Sequence, residues 1–187
     1  MRHDTLHTVS LVEGCLREDD AVLDIGCGAA WVLWQLADRH RLARVAAVDI
    51  VDLRRARVHE FALFDGIHIP HERGTFDLVM LNFVLHHVPD EKKLLLLNEA
   101  RRVCRRNILV LEDTPVNFLD RWASNRHGES FRKRIGSRQP FGFYSKPKWE
   151  QLFAANGFPV AASRRISRLA RNWRQPYARS VFVLGPF

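Results

Sequence analysis

Short apolar runs alternate with longer segments of helical periodicity along the first 112 residues. The apolar runs predict strands at 21–25, 44–49, 59–64, 76–82 and 107–112. The segments between them predict helices at 30–40, 52–58 and 90–102. Strands that alternate with helices are typical of a mainly parallel, doubly wound α/β sheet.

The remaining third of the chain follows a different pattern. Thr114 and Pro115 predict the cap and first turn of a helix, which Gly128 would end. The segment from there to Phe143 is basic, so we treat residues 114–143 as an insertion. A further helix is predicted from Ser145 to Gly157, and two final strands at about 160–168 and 179–185.

The first predicted strand runs directly into a glycine loop. It carries Asp24 near its end and continues through Gly26 and Gly28 into the helix that starts near Trp31. Two glycines allow a sharp turn and a close approach of the backbone to a ligand, and the helix start offers free N–H groups. The pattern indicates a nucleotide-cofactor site. Trp31 stands where dinucleotide-binding loops have a third glycine, which argues against NAD or FAD.

An acidic residue ends the second predicted strand. Asp49 stands 23 positions beyond Gly26, where a carboxylate can accept both hydroxyls of a ribose. The alternative is a turn residue that merely ends the strand.

The loop pattern, acid-x-Gly-x-Gly, resembles motif I of the class I S-adenosylmethionine (SAM) methyltransferases. The segments Phe64–Pro70, Phe76–Asn82 and Phe83–Asp90 continue the likeness and are similar to small-molecule methyltransferases of the ubiquinone-biosynthesis-like group. Ala30 stands where that family commonly has a third glycine. The resemblance covers residues 21 to about 112 and is weak beyond them.

The resemblance implies a seven-stranded, Rossmann-like sheet, closed by the last two strands as an antiparallel edge hairpin. It implies SAM as the cofactor and Asp65 as the acceptor for the adenine amino group, although an Asp-Gly turn would explain that residue equally. The expected cofactor-binding residues are Asp24, Gly26, Cys27, Gly28, Asp49, Ile50, Asp65, Gly66 and Asn82.

Two histidines follow the fourth strand, at the sheet edge where ligands bind in open α/β folds. His86 and His87 are therefore the candidate catalytic residues, with His87 slightly favoured for substrate contact or proton removal. The alternative is a packing role, and relatives with the same string often need no base. No metal site is expected, because adjacent histidines point apart and no further ligand cluster is evident.

The insertion supplies the candidate substrate residues. In this fold the segment after the fifth strand commonly helps to form the substrate pocket, which favours Trp122, His127 and Arg132. An exposed basic loop is the alternative. Near the amino terminus, Arg2, His3 and His7 either cover the cofactor or belong to a frayed end.

Charge is distributed unevenly along the 187 residues. The net charge is +8, yet residues 121–187 hold 14 Lys or Arg against two acidic residues. This asymmetry indicates an anionic partner or substrate, or a solvated basic face. The length predicts a single domain. Three scattered cysteines indicate buried thiols rather than disulfides. The absence of a long apolar stretch predicts a soluble, cytoplasmic protein of undetermined oligomeric state.

These observations favour an enzyme that methylates O, N or C of a small or lipid-like, possibly anionic, molecule. An RNA-directed methyltransferase and a non-catalytic SAM-binding protein remain alternatives. Nucleic acid is less favoured, since Asn82 lacks the following prolines of amino-directed DNA methyltransferases and no cysteine is placed as a nucleophile.

Overall fold

The computed structural model describes residues 3–135, 142–166 and 178–187, and within these it leaves out the side chains of residues 3, 4, 127, 128 and 130–135. The strands are β1 (Ala21–Ile25), β2 (Arg44–Asp49), β3 (Glu60–Leu63), β4 (Phe76–Asn82), β5 (Cys104–Asp113), β6 (Val160–Arg165) and β7 (Arg179–Leu184). The helices are α1 (His3–Glu13), α2 (Trp31–Arg39), α3 (Asp90–Val103), α4 (Phe118–Ile135) and α5 (Lys146–Ala155), with a 3₁₀ turn at Leu85–His87.

The seven strands form one sheet in the order β3-β2-β1-β4-β5-β7-β6. The first five strands of this order are parallel, and β7 and β6 form an antiparallel hairpin on the β5 side. The predicted fold class is therefore confirmed. Because β2 and β4 flank β1, the chain order reverses there, and a crevice opens at the carboxyl ends of β1 and β4. We call the side where the parallel strands end the carboxyl edge.

Apolar side chains cover both faces of the sheet. Leu23 and Ile25 of β1 pack with α3 and α5 on one face, whereas Val22 packs with α1 and α2 on the other. This alternation follows the two-residue period of a strand and explains why β1 is fully buried. The buried core fixes the strand ends, and with them the residues at the carboxyl edge.

Several local predictions were wrong. Residues 52–58 are not helical, because the backbone N–H groups of Arg55 and Ala56 donate to the Ala29 carbonyl beside the glycine loop. The strand predicted to begin at 107 begins at Cys104, directly after α3. The amino-terminal segment forms α1, a helix that the pattern did not predict, with Val9, Leu11 and Val12 in the core.

The helix of the insertion also differs from its prediction. The Thr114 hydroxyl forms a hydrogen bond with the Ser180 hydroxyl at 2.8 Å, so it does not cap a helix. Asn117 takes that role, since its Oδ1 accepts from the Asp120 N–H at 2.8 Å. The helix α4 therefore begins at Phe118, and it continues past Gly128.

Candidate active site

The glycine loop lies between β1 and α2 at the carboxyl edge. Gly26 has φ 69°, and a Cβ atom there would lie 2.7 Å from Cγ2 of Val84, so only glycine fits. Gly28 has φ 52°, and a Cβ atom there would meet no heavy atom within 4 Å. The loop is thus packed against the segment after β4 on one side and open on the other.

The carboxylate of Asp49 ties the end of β2 to this loop. Its Oδ2 accepts from the Gly28 N–H and its Oδ1 from the Ile50 N–H, both at 2.8 Å. The neighbouring Cys27 thiol is held neutral, because burial and the charges of Asp24 and Asp49 raise its pKa. Asp49 therefore fixes the loop geometry while its carboxylate retains unused lone pairs.

Asp24 and Asn82 join the ends of β1 and β4. The Asn82 Nδ2 donates to Asp24 Oδ1 at 3.3 Å. Burial and the nearby charge of Asp49 raise the pKa of Asp24 to about 7. In the part of the chain that the structure describes, Oδ1 of Asn82 is buried without a hydrogen-bond partner. A buried acceptor of this kind indicates a ligand group that would satisfy it.

Asp65 forms the turn after β3. Its Oδ1 accepts from the N–H groups of Ile67 and His68, and its Oδ2 lies 2.6 Å from Nδ1 of His68. The His68 hydrogen bond and the two backbone N–H groups lower the pKa of Asp65 to about 2. Across the gap, Cγ2 of Ile50 lies 3.3 Å from the position of a Gly66 Cβ. The loops after β2 and β3 thus meet where the resemblance expects the adenine.

His86 forms a buried pair with Glu112, a residue that the sequence analysis missed. Nδ1 of His86 lies 2.6 Å from Glu112 Oε2, and Glu112 Oε1 accepts from the Leu85 N–H at 2.7 Å. Burial lowers the pKa of His86, but the charge and hydrogen bond of Glu112 outweigh it, so the pKa is raised. An acidic pair directly after the apolar run 108–111 of β5 was the signal that could have revealed Glu112.

Aromatic rings surround this pair. The Phe143 ring stacks on the His86 ring with centroids 4.8 Å apart, and the half-buried His87 ring lies 4.1 Å from the same ring. The Gly142 N–H donates to the His86 carbonyl at 2.9 Å. The end of the insertion is therefore packed directly against His86.

A second charged pair lies at the same edge. Nε of Arg179 donates to Asp113 Oδ1 at 3.0 Å, and its guanidinium lies 4.7 Å from the ring centroid of Phe83. Phe83 directly follows β4 and has φ 61°, a conformation that costs a non-glycine residue free energy and often marks a functional segment.

Of the three predicted substrate residues, the structure describes the side chain of Trp122 alone. Trp122 is exposed on α4, with the guanidinium of Arg126 5.5 Å from its ring centroid. His127 and Arg132 also belong to α4, but their side chains lie outside the described part of the chain. Of the amino-terminal candidates, His7 is partly buried on α1, and Arg2 lies outside the described residues.

The residues at the crevice fit the cofactor that the sequence resemblance implies. Gly28 leaves the open space that a close-lying ligand needs, and Asn82 presents a buried acceptor without a partner. Asp24 and Asp49 supply negative charge for a cationic ligand. Gly26, Gly28, Asp49 and Asn82 would hold it.

The comparisons with known proteins agree with this geometry. The family model of a methyltransferase domain matches residues 23–111. No curated protein matches the sequence. The fold is similar to that of a methyltransferase from Haloferax volcanii in complex with the Trm112 methyltransferase activator. The TM-score is 0.73 at 17% identity, covering 97% of this chain and 87% of that one.

Two further solved structures share the fold. A methyltransferase from Bacillus halodurans has a TM-score of 0.66 at 15% identity, with 96% of each chain covered. The magnesium protoporphyrin IX methyltransferase of Synechocystis, solved with bound S-adenosylhomocysteine, has a TM-score of 0.60 at 17% identity. That match covers 96% of this chain and 80% of the other. The family model identifies residues 23–111 as a methyltransferase domain, and the solved methyltransferases share the fold of the chain.

Proposed function

We propose that the protein transfers a methyl group from SAM to O, N or C of a small or lipid-like molecule held beside His86 and His87. The observation that carries the proposal is the buried Glu112–His86 pair, on which the Phe143 ring stacks. The pair lies near the glycine loop, because Gly26 packs against Val84, two residues before His86. Apolar rings around a few polar groups are typical of small-molecule sites.

SAM supplies an already electrophilic methyl group, so the chain has mainly to align the acceptor and exclude water. Asp49 and the loop from Gly26 to Gly28 would hold the nucleoside and methionine ends, and Asn82 would offer its buried oxygen to the ammonium group. Asp65 has three of its roughly four lone-pair positions in use, which leaves one for the adenine amino group.

His87 is the better of the two histidines for contact with the acceptor. His86 is almost fully buried and its Nδ1 is engaged by Glu112, so we assign it the role of positioning the His87 ring. Where the acceptor is a hydroxyl, its proton would pass to a neutral His87 imidazole as the oxygen–methyl bond forms and the sulfur–methyl bond breaks, with S-adenosylhomocysteine as the leaving group.

The excess of Lys and Arg in residues 121–187 suits an anionic acceptor, so an anionic group is part of the proposal. Arg179, at the carboxyl edge, already pairs with Asp113. Such a group would therefore be met by arginines of the insertion, among them Arg132.

Transfer of tritium from methyl-labelled SAM tests this proposal. The protein is incubated separately with a lipid extract, a small-metabolite fraction and total RNA. We expect label in the lipid or small-metabolite fraction, reduced about 10²–10⁴-fold by His87→Ala if His87 removes a proton, with His59→Ala as the exposed control. Label found only in RNA would contradict the proposal.

A further inference from the structure

The first two turns of α4 are anchored to the protein by one face. Asp120 Oδ2 accepts from the N–H groups of Val116 at 3.3 Å and Ala178 at 3.4 Å. The Arg121 guanidinium lies 3.5 Å from the Phe143 carbonyl, and Ser124 is fully buried. The orientation of these turns relative to the active-site edge is therefore fixed by contacts with the segment after β5, the residue before β7 and the segment before α5.

The opposite face of these turns is apolar and exposed. Phe118 is 79% exposed, Leu119 72% and Trp122 55%. With about 100° per residue, these three side chains and Arg126 fall within an arc of about 100°. We call Phe118, Leu119, Trp122 and Arg126 the α4 face. Exposed apolar side chains that are contiguous on one face of a helix mark an interaction site more often than scattered ones do.

The charge around the α4 face indicates what it meets. Residues 114–143 contain six Lys or Arg against two acidic residues, and one of the two, Asp120, is turned toward the protein. The other, Glu129, follows Arg126 on α4 and falls within the same arc, so the excess of positive charge belongs to the segment and not to the α4 face alone. Apolar and aromatic side chains interleaved with arginines suit the surface of an anionic bilayer, where rings enter the interface and cations meet lipid phosphates.

Other occupants fit less well. A second copy would bring the same basic segment against itself in a symmetric dimer, with like charges opposed. A nucleic acid would stack on Trp122 but would leave the aliphatic Leu119 without a favourable contact. No described helix is long and apolar enough to span a bilayer, so contact through the α4 face would be peripheral.

We propose that the α4 face docks the protein on an anionic lipid surface. This inference extends the proposed function, and it rests on that function only in assuming that the methyl acceptor is lipid-like. Since α4 begins five residues after Asp113 at the end of β5, docking would bring the active-site edge to the bilayer. A lipid acceptor could then reach the site without crossing water.

Co-sedimentation with vesicles tests the proposal. Vesicles of phosphatidylcholine with phosphatidylglycerol are compared with vesicles of phosphatidylcholine alone, in the absence of SAM. We expect the full chain to bind the anionic vesicles, and Leu119→Ser/Trp122→Ser to lower its partition coefficient on the order of 100-fold. The control is Leu95→Ser, which is 50% exposed on α3 and not part of the α4 face, and it should bind as the wild type does.

A second readout does not depend on the double variant. Tryptophan emission should shift to shorter wavelength when anionic vesicles are added, and Trp122→Phe should remove most of that shift while binding persists. Thermal unfolding and SAM binding of each variant report whether it is folded.

Three results would overturn the proposal. One is the absence of wild-type binding to anionic vesicles, and another is equal binding by the double variant. The third is a wild-type dimer or RNA complex that the double variant abolishes while vesicle binding persists. Failure of methyl transfer with vesicle binding intact would instead contradict the proposed function alone.

Discussion

Glu112 has a fully buried carboxylate at the carboxyl end of β5. Burial of an unpaired charge costs several kcal/mol, so such a group persists only with partners. Here the partners are the His86 ring and the Leu85 N–H. The sequence could place His86 at the edge of the sheet, because it follows a predicted strand. It could not pair His86 with Glu112, because that contact joins residues 26 apart in the chain through the register of β4 and β5.

Replacement of Glu112 by glutamine should change how stability depends on pH. The pKa of His86 is raised in the folded protein, so the pair stabilises fully below about pH 6.5 and this contribution is lost as the pH rises through the folded value. In Glu112→Gln, the pKa of His86 loses both contributions of the Glu112 carboxylate, and burial of the ring then lowers it. We expect a loss of about 3 kcal/mol near pH 6 that shrinks toward pH 8, measured by urea unfolding.

Glu99→Gln is the matched control, because Glu99 pairs with Arg102 within the partly exposed part of α3. Its unfolding free energy should differ from the wild-type value by less, and with little change between pH 6 and pH 8. A Glu112→Gln variant with the wild-type pH dependence would show that the pair is not ionised.

Replacement of Asp24 by asparagine should stabilise the protein at neutral and higher pH. Burial and Asp49 raise the pKa of Asp24 to about 7, so ionisation of this carboxyl group opposes folding as the pH rises from about 4 to 7. Asparagine keeps an acceptor for Asn82 and carries no charge. We expect Asp24→Asn to gain on the order of 1–4 kcal/mol at pH 8 and much less at pH 5. Asp38→Asn, on the exposed side of α2, is the control.

At the scale of elements, strands were predicted better than helices. The core strands β1, β2 and β4 lie at or very near their predicted positions, because fully buried strands give unbroken apolar runs. The failures have tertiary causes. The segment 52–58 is held in a non-helical conformation by hydrogen bonds to the Ala29 carbonyl. The Thr114 hydroxyl forms a hydrogen bond with Ser180 of β7 and so does not cap a helix. Neither contact can be predicted from the local sequence, because each joins residues that are far apart in the chain.

The glycine loop gives a prediction at this scale. Gly26→Ala would place a Cβ atom 2.7 Å from Cγ2 of Val84 in a left-handed conformation. We expect a loss of about 1–3 kcal/mol in unfolding free energy and weaker SAM binding. Adding Val84→Ala should recover the steric part only. Gly14→Ala, where the new Cβ would meet only the Leu11 carbonyl at 3.5 Å, should be close to neutral. Equal stability of Gly26→Ala and Gly14→Ala would contradict the loop geometry.

At the scale of the whole molecule, the alternation of strands and helices predicted the mainly parallel sheet, and the family resemblance implied its antiparallel edge. The cofactor residues Asp24, Gly26 and Asp49 stay a prediction. The substrate side was less predictable. Trp122 is exposed on α4, and the orientation of that helix depends on long-range contacts of Asp120 and Arg121, which local sequence does not show. The sequence alone left the role of the basic carboxyl-terminal third open, and the lipid-docking proposal for it rests on the exposed α4 face.

Titration calorimetry of SAM into the wild type, Asp49→Ala and Asp52→Ala is the most direct test of the cofactor site. Asp52 lies three residues further on, is exposed and pairs with Arg54, so its loss makes the same change in net charge. We predict binding by the wild type and by Asp52→Ala, and binding weaker by about 1.5–3 kcal/mol in Asp49→Ala. An absence of heat with SAM and S-adenosylhomocysteine while NADH binds, or an unchanged affinity in Asp49→Ala, would contradict this assignment.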